Sequence, residues 1–123
     1  MLLFHITDPQ HWEDCLDSGE YDHPSRKTEG FIHCSTRLQL RATLDLHFPD
    51  VSEVIILHIV EKRVREIVRW EAREDGEEFP HLYGIVELYA IEDVSIGERD
   101  ENGVWDPETL PLLPNQPPPS DSL

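Results

Sequence analysis

The chain opens on an apolar run, Leu2–Thr7 (LLFHIT), that reads as a buried strand. Asp8 then offers a side-chain cap, and Pro9 fits the first position of a helix whose one face carries Trp12, Cys15 and Leu16. Gly19 supplies the left-handed residue that ends such a helix. A polar loop covers residues 20–29, and Phe31–Ser35 reads as a second strand. The next stretch carries two signals. Leu38, Leu40, Ala42, Leu44, Leu46 and Phe48 alternate with polar residues as in a strand, yet Thr36 and Gln39 fit a helical capping box. Leu, Gln, Arg and Ala decide for a helix over residues 37–48. Glu53–Val60, dense in Val and Ile, is the clearest strand, and Ile67–Ala72 reads as another. The segment FPHLYG reads as a loop, followed by two short strands over Ile85–Ile91 and Val94–Gly97. Two early helices followed by a mostly antiparallel sheet predict an α+β fold.

Character changes at Asp100. The rest of the chain holds six of the ten prolines, five acidic residues and no Lys or Arg. It has too little apolar surface to offset its ordering entropy, so it reads as an acidic, Pro-rich tail over 100–123 behind a single domain over 1–99. Trp105, Leu110, Leu112 and Leu113 are the residues that could pin part of it down.

The charge narrows the function. Ten Lys and Arg against 26 Asp and Glu leave a formal net charge of −16, and the ten cations are scattered. Non-specific nucleic-acid binding needs clustered cations and is not expected, while one nucleotide in a local pocket remains open. Cys15 and Cys34 form no CxxC pair and read as buried reduced thiols. No basic leader with a long apolar stretch opens the sequence, and VIILHIV is too short to span a bilayer. A soluble, cytoplasmic protein is expected, with no membrane partner.

Three histidines in apolar surroundings carry the candidate chemistry. Alternation in GFIHCST points Ile32 and Cys34 to the core and Phe31, His33 and Ser35 to the other face. In LLFHIT the same logic points Phe4 and Ile6 inward and His5 and Thr7 outward. His5 and His33 are therefore expected to open into one concavity, with His81 of FPHLYG approaching from the rim beside Tyr83. Trp70 and Glu71 could line a sugar or base pocket, although sheet packing explains Trp70 equally well. The remaining histidines, His11, His23, His47 and His58, read as surface or structural. A metal site lacks any HxH, HExxH or CxxC pair, and Ser35 lacks a GxSxG elbow.

FHIT, GFIHCST, the RWE of Arg69–Glu71 and FPHLYG, in this order, resemble a family of small bacterial and plant proteins catalogued as a domain of unknown function. The resemblance covers residues 3–97 and leaves out the acidic end. That family is grouped with the ADP-ribosyltransferase-like fold. The grouping implies split antiparallel sheets with a cleft for NAD or a related ADP-ribosyl or phospho-ribosyl nucleotide. It implies a ribose-binding role for His5 and a nicotinamide-side role for Phe31, His33 and Ser35. The late carboxylate of such enzymes has no clear match, Glu71 and Glu78 being the nearest, and His81 with Tyr83 stands in its place. Arg26 and Lys27 are the nearest basic pair for a phosphate. A nucleotide-dependent transferase or hydrolase is the expectation, with a non-catalytic binding module or a His-based metal site as alternatives.

Overall fold

Strand β1 (Leu2–Thr7) leads into helix α1 (Pro9–Leu16), strand β2 (Glu20–Tyr21), the short helix α2 (Ser25–Thr28), strand β3 (Ile32–His33) and helix α3 (Leu40–His47). Strands β4 (Glu53–Val60), β5 (Val68–Ala72), β6 (Glu78–Leu82), β7 (Val86–Glu87) and β8 (Ile91–Glu98) complete the order. The structure is a computed structural model and describes residues 1–112. It is a small mixed domain of antiparallel sheets and few helices. One sheet has the order β1-β4-β8, a second β3-β6-β5, and β2 pairs with β7. A bridge joins the two larger sheets, since Phe4 and Ser35 exchange both backbone hydrogen bonds at 2.8 Å.

The central strand β4 is apolar over Val54–Leu57 and again at Ile59 and Val60, as suits a strand covered on both faces. Ile55, Leu57 and Ile59 join Leu3, Tyr21, Ile32, Cys34 and Leu82 in one core. Val54 and Ile56 join Phe4, Ile6, Leu40, Leu44, Trp105 and Leu110 in the other. Strand β1 lies in the same sandwich, so the outward face expected for His5 and Thr7 is in fact buried, to 2% and 1% exposure. An apolar run with no polar alternation has no solvent face to give.

Local signals place the helices. The Asp8 carboxylate accepts from the His11 N–H at 2.8 Å, and Gly19 takes a φ of +78° beyond the end of α1. Thr36 and Gln39 close a reciprocal capping box, Gln39 N to Thr36 Oγ1 at 3.2 Å and Thr36 N to Gln39 Oε1 at 3.0 Å. Helix α3 buries Leu40 and Leu44, one turn apart, and leaves Leu46 in solvent, as is Leu38 just ahead of the helix.

Four expectations need correction. FPHLYG is not a loop, because β6 runs through it as the middle strand of its sheet despite Pro80. The Pro80 carbonyl accepts from Cys34 N at 3.0 Å, where the chain is already leaving β6 to bridge to β1. The two strands expected over 85–91 and 94–97 are present with other bounds, β7 over Val86–Glu87 and β8 over Ile91–Glu98 with a 3-10 turn over Leu88–Ala90 between them, and residues 25–28 add a helical turn inside the polar loop. The reading of everything after Asp100 as tail also fails for residues 100–112. Trp105 and Leu110 are buried at 2% and 7% exposure, and Leu112 packs beside them. Arg99 stacks over the Trp105 ring at 4.3 Å, and Arg37 donates to the Pro111 carbonyl at 2.9 Å. Two large apolar side chains outweigh the proline content here. The remainder of the expected tail, Leu113 included, lies outside the described residues.

Candidate functional site

A half-open cavity of about 890 Å³ is walled by β1 and the start of β4, by β3 and β6, and by α3. His5, Thr7, His33, Ser35 and His81 all line it. The two later histidines are brought together by register, because His33 and His81 are cross-strand partners and therefore share one face of the sheet. Their ring centroids are 5.4 Å apart, and Phe31 stacks on His81 at 4.0 Å and 18°.

Each of these rings is held by a carboxylate. Glu71 Oε1 accepts from His81 Nδ1 at 2.7 Å and from the Tyr83 hydroxyl at 2.5 Å. These bonds, the Tyr83 bond foremost, hold the Glu71 carboxyl below its usual range, and the same carboxylate pushes the Tyr83 phenol up. An ionised carboxylate only accepts, so His81 carries a proton on Nδ1, and in the neutral ring Nε2 is the nitrogen with the lone pair. His33 pairs through Nε2 with Glu29 Oε2 at 3.0 Å. Gly30, with a φ of +98°, bends the chain so that Glu29 can return to a side chain four residues on.

His5 is different. Its Nδ1 donates to the His33 carbonyl at 2.6 Å, and its Nε2 accepts from the Tyr21 hydroxyl at 2.7 Å. Burial, only partly offset by the His33 carbonyl, lowers its pKa to about 3. A neutral ring with both nitrogens occupied braces β1 against β3 and has no hydrogen-bonding capacity left for a ligand. Ser35 is likewise tied down, its Oγ 2.9 Å from Thr43 Oγ1 on α3. Trp70 lies on the opposite face of β5, packed on the core with its Nε1 donating to Glu61 at 3.1 Å, and does not line the cavity. Phe31 and Tyr83 stand behind the histidines rather than in the cavity wall.

The expected basic pair is not free to meet a phosphate as a unit. Arg26 makes two bonds to Asp22, at 2.7 and 2.9 Å, and neither Arg26 nor Lys27 lines the cavity. Arg73 does line it, but is held by Asp75 at 2.7 Å and Glu77 at 3.1 Å. Burial pushes the Cys34 thiol far up, which removes it as a nucleophile. Among the described residues no group of three or more His, Cys, Asp or Glu could hold a metal ion, and no helix is long and apolar enough to cross a membrane.

Sequence reasoning passed over His23 and Glu29. His23 lines the cavity beside His5, with ring centroids 5.1 Å apart, and was placed among the surface histidines because its neighbours Asp22 and Pro24 are polar or turn-forming. Only the Glu–Gly–Phe–Ile–His order hinted at Glu29.

Fold and site together define a small antiparallel α/β domain with a histidine-lined cavity. Residues 6–94 match the family described as "Protein of unknown function (DUF952)", and the chain belongs to that family. Among solved structures it resembles the crystal structure of protein CC0527 from Caulobacter crescentus, with a TM-score of 0.78 and 24% identity over 86% of this chain and 94% of that one. The solution NMR structure of CC0527 gives a TM-score of 0.73 and 25% identity over 84% and 90% of the two chains. No curated protein matches the sequence.

Proposed function

We propose that the cavity binds a ribosyl nucleotide, NAD or a related ADP-ribosyl or phospho-ribosyl compound, and that the protein is a cytoplasmic transferase or hydrolase acting on it. The two antiparallel sheets meeting at a cleft support the ADP-ribosyltransferase-like grouping. The observation that carries the reading is the facing pair of His33 and His81, each anchored to its own carboxylate at the wall of one cavity. The volume, about 890 Å³, falls within the roughly 300–1,000 Å³ common for small-molecule sites.

NAD, when bound, would supply a glycosidic bond to a good leaving group. The chain's own residues then have separable tasks. His81, with its Nδ1 proton fixed by Glu71, presents Nε2 as the base that takes a proton from an attacking hydroxyl or water. His33 hydrogen-bonds the ribose or its phosphate from the neighbouring strand, and Phe31 keeps the His81 ring from turning. Glu71 is committed to His81 and Tyr83, so it orients the base and does not itself contact the ribose.

Calorimetric titration of NAD, ADP-ribose and a 2′-phosphorylated nucleotide against the wild type, His33→Ala and His81→Ala tests this. Each substitution is expected to cost about 1–3 kcal/mol of binding with the fold retained. No heat with any nucleotide, or equal affinity in all three proteins, overturns the reading. Saturable NAD binding without nicotinamide release would keep the site and make the protein a binding module.

A further inference from the structure

Among the described residues, Arg73 is the one Lys or Arg in the wall of the histidine-lined cavity, and Asp75 and Glu77 already hold it. The fold gathers cations elsewhere. Strand β4 runs into a 3-10 turn over Glu61–Val64, and Arg65 keeps the dihedrals of that turn, with φ −57° and ψ −24°. Val64 is buried at 4% exposure and anchors the turn to the core, while Lys62, Arg63 and Arg65 stay in solvent. Three residues make one such turn, so side chains three apart are eclipsed. Lys62 and Arg65 therefore leave the same side of the turn, from Cα atoms about 6 Å apart.

Lys62, Arg63 and Arg65 all line a second cavity, of about 400 Å³, whose other wall is Ile85, Glu87 and Tyr89. It shares no lining residue with the histidine-lined cavity. Arg63 is fixed across it. Its Nη1 donates to the Tyr89 carbonyl at 2.9 Å, and its guanidinium carbon lies 5.9 Å from the centroid of the Tyr89 ring. Ile85 and Tyr89 are large apolar side chains left 42% and 60% exposed beside these cations.

With 26 acidic side chains to ten Lys and Arg, pairing is the ordinary fate of a cation in this chain, as Arg26 and Arg73 show. Yet among the described residues none of Lys62, Arg63 and Arg65 forms an ion pair, and Glu66 and Glu87, which also line the cavity, pair with none of them. Like charges one turn apart repel and weaken the turn that carries them. An anion placed between them removes that repulsion.

We propose that this second cavity binds a small phosphate monoester with a flat, apolar body. Lys62 and Arg65 hold the phosphate oxygens, and Arg63 donates from the guanidinium nitrogens that the Tyr89 carbonyl leaves free. Ile85 and Tyr89 cover the body. A phosphate monoester suits the site better than a carboxylate, because it brings nearly two negative charges and three acceptor oxygens to three cationic donors. The cavity volume lies within the range of about 300–1,000 Å³ usual for small-molecule sites.

The full chain is titrated at fixed ionic strength with phenyl phosphate, inorganic phosphate and phenol, and amide NMR shifts report where each binds. The proteins are the wild type, the double variant Lys62→Gln with Arg65→Gln, and Tyr89→Ala; all three side chains are exposed, and Tyr89→Ala keeps the carbonyl that holds Arg63. Saturable shifts are expected at residues 62–67 and 85–89, with phenyl phosphate about tenfold tighter than inorganic phosphate through the apolar surface it buries, and phenol weakest. The double variant should bind both phosphates about tenfold or more weakly. Tyr89→Ala should bring phenyl phosphate down to the level of inorganic phosphate. No saturable shift at the turn with either phosphate, or unchanged affinity in the double variant, overturns the site. Phenyl phosphate no tighter than inorganic phosphate, or a Tyr89→Ala protein that keeps the difference, overturns the ester assignment.

Discussion

His5 joins the two larger sheets through a pair of buried hydrogen bonds, so His5→Ala leaves a carbonyl and a phenol without partners at the centre of the molecule. The expected loss is about 2–4 kcal/mol of stability in a denaturant titration, against about 0.5 kcal/mol or less for His33→Ala, whose ring is half in solvent. The pH dependence has a definite sign. The folded pKa of His5 is about 3 against an ordinary 6.5, so as pH falls the unfolded chain takes up the proton first. The stability due to the neutral ring is complete above pH 6.5 and is lost progressively towards pH 3, by about 2 kcal/mol at pH 5. His23 and His58, also lowered chiefly by burial, act in the same direction. In His5→Gln the slope between about pH 6.5 and 5 should shrink by roughly one proton; an unchanged slope would mean that His5 is not the buried neutral group. The sequence placed His33 correctly on the face opposite Ile32 and Cys34, because that strand alternates. It misplaced His5 because LLFHIT does not alternate, and a strand covered on both faces has no pattern from which to read the exposed side.

At the scale of elements, residues 100–112 behave as part of the domain. Gly97 on β8 marks the contact, since a Cβ there would come within 3.1 Å of Leu110 and 3.2 Å of Val54. Gly97→Ala should therefore cost about 1–3 kcal/mol by overpacking. Trp105→Ala should cost about 3–5 kcal/mol by emptying a place in the second core. Thermal unfolding decides the matter, and a Trp105→Ala protein with an unaltered Tm would restore the picture of a loose tail. Proline content and charge misled here because they measure the average of a segment, whereas docking depends on two side chains and the Arg99 stack. The helix over Leu40–His47 shows the opposite case. Its alternating leucines imitate a strand, but Thr36 and Gln39 carry the cap in the sequence itself, and that local signal was sufficient. The strand through FPHLYG was hidden by its proline, whose missing N–H is harmless only because β3 is so short. No local rule reports the length of a partner strand.

The whole molecule carries 26 acidic side chains against ten Lys and Arg, and this excess governs how it responds to salt. Like charges packed into one domain repel one another and oppose the compact state. Salt relieves that repulsion over distances beyond a screening length of about 8 Å at physiological strength. The attractive pairs lost in exchange, Arg26 with Asp22 and Arg73 with Asp75 and Glu77, lie at the surface, where solvent already screens them and they contribute little. Raising sodium chloride from about 0.02 to about 0.3 M should therefore increase the Tm rather than lower it. The same field acts on an approaching nucleotide, whose phosphate must pass Asp8, Glu29, Glu53 and Glu77 at the mouth and walls of the cavity. Its association rate should rise with salt, the reverse of a protein that steers polyanions to a basic surface. Stopped-flow binding of a fluorescent mononucleotide across that salt range is the measurement. An association rate that falls with added salt would show a local positive potential at the cavity strong enough to reverse the field of the whole chain.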